Sequence, residues 1–64
     1  MKIYNTKTGF YYKWCRHDQN GNVTIVWTKL GQVSQATDLH LDAAEAVARQ
    51  LFALDNTLSL RILN

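Results

Sequence analysis

Apolar and polar positions follow one rhythm in the first half of the chain and another in the second. The opening "KIY" is a short β-prone run, and "NTKTG" behind it consists of turn formers ending in a glycine able to take positive φ. Residues 10–16 are rich in aromatics and residues 23–28 are mostly β-branched, so both read as strands. Between them lies "HDQNGN", whose Asn20-Gly21 pair is a strong hairpin signal, because both residues tolerate the left-handed geometry of a tight turn. A two-residue loop there sets Trp14 opposite Trp27 and Cys15 opposite Val26. A three-residue loop moves every partner by one.

Side chains alternate between the two faces of a strand. Phe10, Tyr12, Trp14 and Arg16 therefore share one face with Val23, Ile25, Trp27 and Lys29, and Tyr11, Lys13, Cys15 and His17 share the other with Thr24, Val26 and Thr28. The first set is the more apolar. It is expected to meet the rest of the core, with Trp14 buried and Arg16 and Lys29 reaching water by their charged tips.

Residues 29–40, "KLGQVSQATDLH", have no sustained period and form a connection with a brief extended piece around Val33. From Leu41 to Leu54 the period changes to that of a helix. "LDAAEAVARQLFAL" is dominated by strong helix formers, and Ala44, Val47, Ala48, Leu51 and Leu54 make one apolar stripe. Asp42 falls in the first turn, where the helix dipole favours a negative charge, and Glu45 and Arg49 are spaced to pair. After "DNT" the chain alternates again, with Leu58, Leu60 and Ile62 inward and Ser59, Arg61 and Leu63 outward. The pattern predicts an α+β fold of order β-β-β-α-β, an antiparallel sheet with one helix packed on one face and the other face bare.

Composition narrows the class. A chain of 64 residues, 47% hydrophobic and without proline, suits one small globular domain over 1–64. Its single cysteine, Cys15, rules out an intrachain disulfide and suits a reducing cytoplasm. No run approaches the ~18 apolar residues of a membrane span, and "MKIYNTKTG" lacks the apolar block of a signal peptide, so a cytoplasmic location without membrane attachment is expected. Charge is polarised along the chain. Lys2, Lys7, Lys13, Arg16 and Lys29 stand against Asp18 alone in residues 1–32, whereas Asp38, Asp42, Glu45 and Asp55 outnumber Arg49 and Arg61 in residues 33–64. The basic half is suited to an acidic partner.

Little in the chain points to catalysis. Cys15 and His17 project from one face of a strand, and with His40 they could offer zinc ligands, but the paired spacings that make a zinc motif specific are missing. No orienting group suggests itself for a Cys–His nucleophile, and the three glycines are isolated turn residues rather than a phosphate loop. Neither enzymatic activity nor a cofactor is expected. Tyr11, Lys13, His17, Val26 and Thr28 on the bare face, with Lys7 in the adjoining turn, are the candidate partner-binding residues. Tyrosine is a favoured interface anchor, and the exposed strands could dock a second protein or a second copy of this chain. Tyr11 among basic residues also allows unpaired bases to stack, the weaker reading because only one aromatic falls on that face.

The order "GFYYKW", Asn-Gly turn, "TIVWT", polar connection, "LDAAEAVARQL" and a terminal apolar strand resembles small orphan accessory proteins encoded by bacteriophages and prophages. The resemblance covers nearly the whole chain and is one of layout. It implies a non-catalytic protein that binds and blocks a host assembly, such as a defence or transcription complex, and it carries over no site residues.

Overall fold

In a computed structural model, which describes residues 1–29 and 31–64, the α+β expectation holds. The elements are β1 (Lys2–Asn5), β2 (Tyr12–His17), β3 (Val23–Trp27), a short 3-10 turn (Val33–Gln35), α1 (Leu41–Leu54) and β4 (Leu60–Leu63). The 3-10 turn replaces the extended piece expected around Val33, and Leu30, within the predicted connection, lies outside the described residues. Helix α1 has the predicted bounds, with Asp42 in its first turn. Glu45 and Arg49 do not pair. Among the described residues the ion pairs are those of Asp38 with the N-terminal amine (3.6 Å) and with Lys2 (3.9 Å).

The strands form two antiparallel ribbons, β1 with β4 and β2 with β3, rather than one sheet. Among the described residues a single bridge, between Tyr4 and Tyr11, links them. The division has a local cause. Asn5 and Phe10 hold β1 and β2 together at the turn, with the Asn5 amide donating to the Phe10 carbonyl (2.8 Å), but beyond the bridge a segment of the connection enters between the strands. There the Thr37 amide donates to the Tyr12 carbonyl (3.2 Å), the Thr37 hydroxyl donates to the Lys13 carbonyl, and the Leu39 amide donates to the Met1 carbonyl (2.8 Å). Residues 37–39 thus satisfy backbone groups that the strands would otherwise offer to each other.

The hairpin register differs from the two-residue expectation. Cys15 faces Ile25, Trp14 faces Val26 and His17 faces Val23, the partners of a three-residue loop. Asp18 selects it: one carboxylate oxygen accepts the amides of Asn20 (2.9 Å) and Asn22 (2.8 Å), and the Asp18 amide donates to the Asn22 carbonyl (3.0 Å). Only Gly21 then needs the left-handed region, at φ 81°, while Asn20 keeps a negative φ. A bulge between Tyr12 and Trp14 shifts the register again, so that Tyr12 faces Trp27.

The covered face is also the opposite of the one expected for β2. Ile3, Ala44 and Leu51 are fully buried, and Tyr12, Cys15 and Ile25 pack against them together with Val47, Leu58, Leu60 and Ile62. Trp14 is 48% exposed rather than buried, and Arg16 is exposed beyond it. Two causes act together. The bulge brings Tyr12 to the same side as Cys15, and covering the Cys15 side leaves the Arg16 guanidinium in water, where burial would strip its hydration. In β4 the predicted alternation holds, with Leu58, Leu60 and Ile62 against the core. Leu54, expected at the end of the buried stripe of α1, is instead 51% exposed.

Candidate functional site: a groove between hairpin and helix

Helix α1 lies on β1 and β4, where Ala44 and Leu51 meet Ile3. The second ribbon touches this core at Tyr12, Cys15 and Ile25 and then diverges from the C-terminal half of the helix. The divergence opens a groove of about 670 Å³. The hairpin wall carries Tyr12, Trp14, Cys15, His17 and Val23, and the helix wall carries Val47, Gln50, Leu51, Ala53 and Leu54. Volume and lining fall within the usual range of a site for a small molecule or a few apolar side chains.

Polar groups in the groove are few. The Tyr12 hydroxyl donates to the Cys15 sulfur at 3.8 Å. Burial first, and then the hydrogen bond to Cys15 and its charge, push the Tyr12 phenol up to about 12, so it stays a neutral donor at physiological pH. His17 and Gln50 are exposed at the rim, and half of Leu54 faces solvent. The arrangement offers an apolar floor with hydrogen-bonding groups at its edge, and no group of three or more His, Cys, Asp or Glu side chains is gathered among the described residues.

The six residues predicted to form a single binding face are dispersed. Tyr11 lies on the uncovered side, half-buried because its ring tilts against Tyr4 with centroids 5.0 Å apart. Val26 is on the same side opposite Trp14, and is also half-buried. Thr28 is buried at 3% exposure, its hydroxyl oxygen accepting the Tyr11 amide (3.1 Å) and its own amide donating to the Tyr11 carbonyl (2.8 Å), so it ties strands together. Lys13 sits at the bulge, with its carbonyl taken by Thr37. His17 is on the covered side at the mouth of the groove, and Lys7 donates from its ammonium to the Thr57 carbonyl (2.7 Å). They do not share one face, because the bulge interrupts the alternation that would have aligned them.

What the sequence reading missed is the helix wall of the groove and the exposure of Trp14. The alternation contained a partial signal for the latter, since Arg16 had to share whichever face Trp14 took.

Among the described residues no helix is long and apolar enough to cross a membrane. No protein-family model matches the chain, and neither a curated protein nor a solved structure matches it.

Proposed function

We propose that this is a non-catalytic binding protein of the phage accessory kind, acting in the cytoplasm, which blocks or modulates a host protein assembly by taking apolar side chains of one component into the groove between hairpin and helix. The observation that carries the reading is the groove, with Val23, Val47, Leu51 and Leu54 along its walls and its polar atoms confined to Tyr12, Cys15 and the rim. A peptide segment anchored by a leucine or an aromatic side chain suits it: the floor gains from burying apolar surface, and the rim can satisfy the segment's backbone. That the component belongs to a host assembly follows from the layout resemblance. The lone cysteine, Cys15, suits a reducing compartment.

The test is peptide selection against the intact protein, followed by titration of the selected peptides. Peptides with a shared apolar anchor are expected, bound with weak dependence on salt. Leu54→Asp, at a residue already 51% exposed, places a charge on the groove wall and should abolish binding while the far-ultraviolet circular dichroism is unchanged. Peptides that bind Leu54→Asp as well as the parent would overturn the groove as the site.

A further inference from the structure

The uncovered side of the two ribbons carries a second and chemically different surface. Ile3 and Asn5 are buried, so Tyr4 between them points to the opposite side, as does Tyr11 beside the core-packed Tyr12. Cross-strand neighbours then form a continuous row. Arg61 is the register partner of Tyr4, and Tyr4 is bridged to Tyr11, with the two rings 5.0 Å apart and tilted by 51°. Farther along β2 come Trp14, 48% exposed and also at the edge of the groove, and Arg16, exposed.

The charge on this side is mainly positive, with Asp38 set against Lys2 (3.9 Å), which shares the face of Tyr4. Asp18 is in the hairpin loop, Asp38 is in the connection beside the N-terminal amine and Lys2, Asp42 and Glu45 are on α1, and Asp55 follows the helix. None of the carboxylates lies on a strand. Arg16 and Arg61 form no ion pair among the described residues. Aromatic rings flanked by unpaired guanidinium groups combine the two components of single-strand recognition, π-faces for unpaired bases and cations for phosphates. Arg61 and Tyr11 are two strand spacings apart, roughly 10 Å, so the row spans more than one nucleotide.

We infer that the Arg61–Tyr4–Tyr11 row with Trp14 and Arg16 is a binding site for single-stranded nucleic acid. An acidic protein surface would answer the arginines but leave the aromatic row without a counterpart, whereas a single strand answers both. The Tyr4–Tyr11 row is separate from the groove lining, whereas Trp14 belongs to both surfaces, and the inference does not depend on the groove binding a peptide.

The experiment is a fluorescence-anisotropy titration of the whole protein with a short labelled oligothymidylate, repeated with the same strand in duplex form. Saturable binding of the single strand is expected, weakening as salt is added, with the duplex bound more weakly. Trp14→Ala should lower the affinity about tenfold, the loss of one stacked base, and Trp14→Phe should restore part of it. Arg16→Ala and Arg61→Ala should each reduce the slope of log affinity against log salt by about 0.7. The inference is overturned if the single strand fails to bind at low salt, if duplex and single strand bind alike, or if Trp14→Ala, folded by circular dichroism, binds at full strength. It is equally overturned if polyglutamate binds through Arg16 and Arg61 while oligothymidylate does not, since the face would then belong to an acidic protein.

Discussion

Leu51 provides the sharpest test of how the core is built. It is fully buried beside Ile3 and Ala44, and among the described residues those three make up the fully buried cluster. Truncation to alanine at such a site costs ~2–5 kcal/mol, comparable with the ~3–5 kcal/mol that a domain of this size has in total, so Leu51→Ala is expected to be largely unfolded. A smaller cut keeps the measurement quantitative. Leu51→Val removes one methylene, about 0.8 kcal/mol of transfer, and adds a cavity contribution and a helix penalty for the β-branch, giving roughly 1–2 kcal/mol. Leu54→Val is the control, because it carries the same helix penalty one turn away at a residue 51% exposed. It should lose less than about 1 kcal/mol. Urea unfolding followed by circular dichroism reads both, and with a slope near 1 kcal/mol per molar the Leu51→Val midpoint should fall by about 1–2 M. Equal shifts in the two variants, or a larger one at Leu54, would refute the assignment of Leu51 to the core and of Leu54 to the groove wall.

Alkaline pH probes the Tyr12–Cys15 contact. The folded phenol has its pKa raised to about 12 by burial first and by Cys15 second, against about 10 when unfolded. The fold's preference for the neutral phenol is fully present below about pH 10 and is lost as pH climbs through about 12. Ultraviolet titration should show a late-ionising tyrosine that disappears in Tyr12→Phe. Gly21→Ala should destabilise by about 1–2 kcal/mol in thermal unfolding through backbone strain alone, since φ is 81° and nothing lies within 4 Å of the added carbon. Thr37→Val, which deletes the hydroxyl donor to the Lys13 carbonyl, should cost on the order of 1 kcal/mol by the same assay. An unchanged midpoint would show that the wedge between the ribbons does not depend on that bond.

Elements governed by their own sequence were legible, and relations between elements were not. Helix α1 was readable to its ends because residues 41–54 contain no glycine, no proline and a sustained apolar stripe. The alternation of β4 was readable for the same reason. Asn20-Gly21 announced a turn, but it is compatible with two loop lengths, and the choice fell to the Asp18 carboxylate through its bonds to Asn20 and Asn22. Alternation divided the hairpin into two faces without showing which one the helix would cover. That depended on a bulge at Lys13, and bulges leave no local mark without a glycine. Thr37 was hidden in a polar stretch without a period, yet it separates the ribbons. The groove could not be foreseen because it exists only where two separately readable units part.

Pairing β1 with β4 joins Lys2 to Leu63, almost the full length of the chain, whereas β2 and β3 are joined by a three-residue loop. The hairpin can close within microseconds of the start of folding, but the outer ribbon must first meet the entropy of bringing distant segments together. Ile3 likewise meets Leu51 across most of the chain, so the hydrophobic centre rests on contacts with a higher closure cost than the hairpin's. A chain emerging from a ribosome therefore has both partners of its hairpin well before both partners of its outer ribbon.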